Sequence, residues 1–196
     1  YSWILSCRNF MNACESILGL NPYQGGKPIK ELERELGLKN VIKLASNENP
    51  LGASLKVVEA MKLSLKEVHR YPDGNGYELK KSISGHLDVA TEMISLGNGS
   101  NELLELVARV FVCKKTDEVI FSQYAFVVYP LVTQALGATA KVAPAKEYGH
   151  DLNAMLELIN DNTKLIFVAN PNNPTGTLVS DDEIYNFLIK VPSHIP

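Results

Sequence analysis

Residues 165–176 read LIFVANPNNPTG, an apolar run from Leu165 to Val168 that breaks into two Asn-Pro pairs and ends on Gly176. The run is short and apolar at every position, which predicts a strand buried on both faces. Each proline pushes the asparagine before it into extended or turn geometry and opens the way to a cis bond. Asn170 and Asn173 are therefore presented rigidly at a strand end. One or two such residues suffice for a plain turn. Two prolines, three asparagines and a glycine within seven positions favour a binding loop.

On either side of this stretch the hydrophobic period alternates. It predicts strands over 118–122 and 139–142 and helices over 101–112, 126–136 and 153–159. A last helix starts at Asp181, where Ser180 and Glu183 have capping-box spacing. Upstream it predicts helices over 53–68 and 77–87 and a strand over 93–96. The first of these helices sets Leu55, Val58, Met61, Leu65 and Val68 on one face that should pack on something. Strands alternating with helices predict the α/β class: a mostly parallel sheet with helices on both faces. Residues 1–55 read as an N-terminal arm. It holds the turn-rich segment 21–28, an amphipathic helix over 29–37 closed by Gly37, and a short extended apolar run over 41–45. Residues 56–196 read as part of one larger domain.

Nineteen basic and 22 acidic residues give a net charge of -3 without long like-charge blocks, so nucleic acid is not an expected partner. No apolar run approaches the ~20 residues of a membrane helix. Cys7, Cys14 and Cys113 are widely spaced and in no metal-type pattern, which fits reduced thiols in a cytoplasmic protein. The first residue is Tyr1, with Met11 a plausible initiator, and both ends are expected to be cut.

A second loop joins the predicted strand 93–96 to the helix that follows, as Gly97-Asn98-Gly99-Ser100-Asn101-Glu102. Glycines let backbone approach a ligand, and a helix N-terminus offers free amides to a phosphate. The third glycine of a dinucleotide fingerprint is absent, and a plain tight turn is the alternative. Glu102 and Glu105 suit the helix dipole but would repel a phosphate, so they are expected to turn away from it.

Taken with its strand, NPNNPTG (170–176) resembles the hallmark of class I and II aminotransferases of the fold type I pyridoxal phosphate family. NPYQGGKP (21–28), LASNENPLG (44–52), HRYPDGNGYELK (69–80), GNGSNELL (97–104) and SQYAFVVYP (122–130) follow the order found in histidinol-phosphate aminotransferases in particular. The resemblance runs from about Asn21 to the last residue. It implies pyridoxal 5'-phosphate as cofactor and amino transfer between histidinol phosphate and 2-oxoglutarate. It also implies a small-molecule amino donor, a 2-oxo acid and a second copy of the chain as partners. Gly99, Ser100 and Asn101 would hold the cofactor phosphate, and Asn173 would donate to the ring hydroxyl oxygen. Phe126 would stack on the pyridine where the family often has tyrosine; without the family it reads as a core ring on a helix. Tyr71 would reach the partner subunit's phosphate, and is otherwise an ordinary surface aromatic. Tyr23 and Asn47 would line the substrate side.

The family's lysine, which bonds to the cofactor and moves the proton, and the aspartate that holds the pyridine nitrogen protonated are expected beyond Pro196. No lysine here has the Ser-Lys context, and Asp181-Asp182-Glu183 opens a helix rather than ending a strand. The chain alone is therefore expected to be inactive and, with part of a sheet missing, prone to aggregate. Aromatic amino acid aminotransferases and amino acid phosphate decarboxylases share these motifs. A non-catalytic phosphate- or nucleotide-binding domain is the reading from another class.

Overall fold

The computed structural model describes residues 13–23 and 25–196, grouped into two compact units. One is Tyr23–Ser95; the other is Leu96–Pro196 with the described residues up to Pro22. Cys7 and Met11 lie outside the described residues. In chain order the helices are α1 (Glu15–Leu18), α2 (Ile29–Leu36), α3 (Leu55–Ser64), α4 (Tyr77–Leu87), α5 (Ser100–Phe111), α6 (Val128–Ala135), α7 (Leu152–Glu157) and α8 (Asp181–Leu188). The strands are β1 (Glu118–Ser122), β2 (Thr139–Ala143), β3 (Ala145–Lys146), β4 (Gly149–His150) and β5 (Thr163–Ile166).

In Tyr23–Ser95, α2 stops at Gly37, whose φ of 66° is the left-handed conformation that glycine adopts without penalty. The amides of Asn75 and Tyr77 donate to the Asp73 carboxylate, which tightens the entry to α4. Two sequence expectations need correcting. Residues 93–96 form no strand: a 3-10 turn covers Thr91–Met93, and although Ile94 is extended, no neighbouring strand among the described residues completes a ladder. The apolar face of α3 and the 3-10 turn Leu65–Glu67 that continues it is also not packed away. Val58 is half-buried, while Leu55, Met61, Leu65 and Val68 are exposed within this chain.

The other unit is built on a three-stranded parallel sheet in the order β2-β1-β5. β1 is the middle strand and is buried at all five positions. Its side chains alternate. Val119 and Phe121 join Leu165 and Phe167, Ala108 of α5 and Val112 just after it, and Tyr129 and Val132 of α6. Ile120 faces the other way, into Ala143, Met155 of α7 and Phe187 of α8. A strand that feeds two cores is apolar at its centre, here Val119 to Phe121, and the sheet is covered by helices on both sides. α8 opens with a complete capping box: Glu183 N–H donates to Ser180 Oγ, and Ser180 N–H donates to Glu183 Oε2. The Ser180 hydroxyl, which donates to Glu183 Oε2 at 2.7 Å, and the Ser180 amide hold the Glu183 carboxyl below its usual range, the hydroxyl contributing most. Among the described residues no helix is long and apolar enough to cross a membrane.

Asp117 closes the turn from α5 into β1. Its buried carboxylate accepts the Cys113 and Lys114 amides, both at 2.8 Å. Burial pushes the carboxyl up, but those two amides, with the charges of Lys164 and Lys114, hold it below the usual aspartate value. A depressed folded pKa contributes stability above the unfolded value, near 3.8, that is lost as pH falls through the folded one. Asp117→Ala should therefore cost about 1–3 kcal/mol at neutral pH by stranding two amides. It should also flatten the decline in stability below about pH 4. Urea midpoints from pH 7 to pH 3 check this, and an acid decline as steep as wild type counts against it.

Candidate functional site

Ligands of open α/β sheets sit at the carboxyl ends of the strands. β1 and β5 are parallel neighbours, so the segments that follow them, 123–127 and 167–176, leave from the same end of the sheet. α5 packs Leu104 and Ala108 onto the shared core, its cap residue Val112 joins them, and the chain then feeds the amino end of β1 through the 113–117 turn. The helix thus runs back along the strand, and its N-terminus points to that same end.

That N-terminus is bare. Gly99 is its cap residue, with φ 74° and ψ 175°, and no side chain caps it. The amides of the first helical turn, at Ser100 and Asn101, have no partner within the helix. Both residues are exposed. Glu102 Oε2 accepts the Asn98 amide at 2.6 Å, tying the loop to the helix. A first-turn carboxylate satisfies an otherwise orphaned donor there and suits the helix dipole. Glu105 pairs with Arg109.

Phe126 is half-buried in the turn before α6 rather than on the helix. Pro130 explains the late start, because a residue without N–H is tolerated only in the first helical turn. Phe126 meets Tyr129 edge-on at 6.0 Å, and Tyr129 stacks on Phe167 at 4.3 Å. Burial raises the Tyr129 phenol above its usual value.

After β5 the peptide bonds Asn170–Pro171 and Asn173–Pro174 are both cis. Asn170 closes the loop by exchanging two hydrogen bonds of 2.9 Å with the Val179 backbone. Asn173 is half-buried, and its side chain makes no hydrogen bond among the described residues. Asn172, which sequence reasoning did not single out, is only 3% exposed and donates to the Tyr124 carbonyl at 2.9 Å and to Thr175 Oγ1 at 2.7 Å. The loop of Asn173 is thereby held against the turn of Phe126. Asn172 Oδ1 and Ser122 Oγ are buried there without a hydrogen-bond partner. Tyr23, Asn47 and Tyr71 belong to the other unit, where all three are exposed.

A family model described as aminotransferase class I and II matches residues 39–194. The chain belongs to the class I and II aminotransferase family. Among curated members, histidinol-phosphate aminotransferase 1 of Idiomarina loihiensis is 59% identical over 176 residues, covering 90% of this chain and 48% of that protein. Histidinol-phosphate aminotransferase 1 of Mannheimia succiniciproducens is 56% identical over 179 residues, covering 91% of this chain and 49% of that protein. This aminotransferase chain spans about half the length of the curated relatives it matches. In fold it is similar to histidinol-phosphate aminotransferase from Sinorhizobium meliloti, crystallised in complex with pyridoxal-5'-phosphate. The TM-score is 0.85 at 23% identity, covering 96% of this chain and 50% of that one.

Proposed function

We propose that the whole protein carrying this chain is a histidinol-phosphate aminotransferase, taking the amino group of histidinol phosphate and giving it to 2-oxoglutarate. The products are imidazole acetol phosphate and glutamate. One observation carries the reading: identity of 59% and 56% to relatives that bear this name, spread across nine-tenths of the chain. The residues present fit pyridoxal phosphate. An uncapped helix start behind Gly99 offers amides to a phosphate. A half-buried ring at Phe126 offers a face to a pyridine. Orphaned polar atoms at Ser122 and Asn172 mark this end of the sheet as a place for polar partners.

When bound, the cofactor supplies an electron sink for the pair left on the substrate carbon as its proton departs. The chain's own share is placement. Ser100 and Asn101 donate backbone N–H groups to the phosphate, with the helix dipole behind them. Phe126 packs on the ring and keeps water from one face. Asn173 donates from its side-chain amide to the ring hydroxyl oxygen, favouring the charge distribution that holds electrons in the ring. Tyr71 reaches the phosphate of a partner subunit in a homodimer, and Tyr23 and Asn47 face the substrate. The lysine and aspartate of the chemistry are supplied from outside these residues, and the enzyme works in the cytoplasm.

Purified whole protein should convert histidinol phosphate and 2-oxoglutarate, with an aromatic amino acid the poorer donor, while the isolated 196-residue chain shows no turnover. Preference for the aromatic donor, or carbon dioxide release from an amino acid phosphate, would replace this substrate assignment. Tighter binding of ATP or NAD than of pyridoxal phosphate would remove the aminotransferase reading altogether.

A further inference from the structure

Asn172 sits between the two walls of the proposed site and touches both. Its side-chain nitrogen carries two hydrogens. One goes to the carbonyl of Tyr124, two residues before Phe126, and the other to Thr175 Oγ1, two residues after Asn173. Having accepted there, the Thr175 hydroxyl is left to donate to Thr177 Oγ1 at 3.0 Å. The backbone of the same residue closes the loop: Asn172 N–H donates to the Thr177 carbonyl and Gly176 N–H to the Asn172 carbonyl, both at 2.8 Å. Two donors on one planar nitrogen are what this arrangement needs, and an aspartate of the same shape has none. Burial keeps water from competing for the acceptors, and it leaves Oδ1 without a partner. A turn built only for stability has no reason to bury an unsatisfied acceptor, which carries a desolvation penalty.

We propose that Asn172 is a positioning residue: it clamps the loop of Asn173 to the turn of Phe126 and so fixes the width of the slot between them. The inference rests on the aminotransferase reading, in which that slot receives a flat phosphorylated ring. The role assigned to Asn172 needs no contact with the ring. Its effect passes through the Tyr124 carbonyl on one side and Thr175 on the other, residues 48 and three positions away in sequence.

The test compares Asn172→Ala and Asn172→Asp in the whole protein with Asp117→Ala, which lies at the opposite end of β1. Two readouts are taken: the dissociation constant for pyridoxal phosphate, and amide hydrogen exchange in segments 123–127 and 172–177. Both Asn172 variants should bind the cofactor at least tenfold more weakly and exchange faster in both segments. Asp117→Ala should lose thermal stability yet bind within twofold of wild type. Thr175→Val, which removes one of the two acceptors, should fall between. Binding within twofold by either Asn172 variant overturns the clamp, and so does an equal loss of binding in Asp117→Ala. If wild-type protein fails to bind pyridoxal phosphate, the functional reading falls and exchange alone judges the clamp. Faster exchange in both segments then supports it, and faster exchange confined to 172–177 overturns it.

Discussion

In the whole protein, Gly99→Ala is expected to weaken pyridoxal phosphate binding by about tenfold or more. Space is not the reason, since a Cβ at this position would meet nothing within 4 Å. The backbone is. With φ 74° and ψ 175°, Gly99 occupies a region that is essentially closed to residues with a side chain, where alanine costs on the order of 1–3 kcal/mol. The chain can relieve that strain only by rotating the link from Asn98 into Ser100, which turns the first free amides of α5 off the phosphate. Each 1.4 kcal/mol held back from binding is about a factor of ten. Gly97→Ala makes an instructive comparison, because its limit is contact: a Cβ would lie 2.9 Å from Glu102 Oε2 and 3.1 Å from Leu103 Cγ. That change should loosen the Glu102 bond to Asn98 while leaving Gly99 free to hold its angle, and so cost less affinity. Cofactor titration of both variants checks the order. A Gly99→Ala protein that binds as tightly as wild type would show that the helix start does not hold the phosphate.

What the chain let a reader see depends on how local each cause is. β1 was legible to the residue because its apolar centre, Val119 to Phe121, is bounded by polar residues too closely to carry a helical period. The start of α8 was legible because a capping box is a three-residue device. The hairpin of β3 and β4 was not. Its two turn residues are Glu147 and Tyr148, with φ of 50° and 64°, where sequence reasoning looks for Asn-Gly or Asp-Gly. Gly149 beside them is held instead by close approach, a Cβ there coming within 3.2 Å of Thr177 Oγ1. That is a tertiary constraint with no local mark. The 93–96 segment misled for the converse reason: its residues suit a strand, but a strand exists only where a neighbour completes the ladder.

The candidate site divides in the same way. Gly99, Ser100, Asn101 and Asn173 could be named from motifs because glycine, a helix start and Asn-Pro pairs carry their geometry in adjacent residues. Asn172 could not be told from Asn170 and Asn173 by type or spacing. Burial separates them, and burial depends on the parallel pairing of β1 with β5 that sets Tyr124 beside the loop. Had that pairing been derived from the two apolar strands first, the asparagine facing the 123–127 turn would have been the one to examine. Phe126 was set on a helix, because the apolar run 126–136 continues the helical period through the turn that precedes Val128, where the helix starts.

Ile120→Ala should be the most destabilising single change considered, at about 2–5 kcal/mol. Ile120 is fully buried in the smaller core with Ala143, Met155 and Phe187. Deleting three carbons removes their transfer free energy and leaves a cavity, whose cost depends on whether the walls can close. Here they cannot. β1 is hydrogen-bonded to β2 on one side and to β5 on the other, and Val119 and Phe121 are locked into the opposite core, so the strand has no freedom to settle toward α7. Ile120→Val should cost only about 0.5–1.5 kcal/mol, since one methylene is lost. Val142→Ala on β2, half exposed at 50%, should stay within about 0.5 kcal/mol. The decisive measurement is the set of urea midpoints for the three variants at constant slope. A midpoint for Ile120→Ala no lower than that of Val142→Ala would mean that the second face of the sheet is not a packed core. Against a total stability of roughly 5–15 kcal/mol, a loss at the upper end of the expected range removes most of the margin. Both faces of β1 must therefore be filled for the loops at its carboxyl end to have a fixed base.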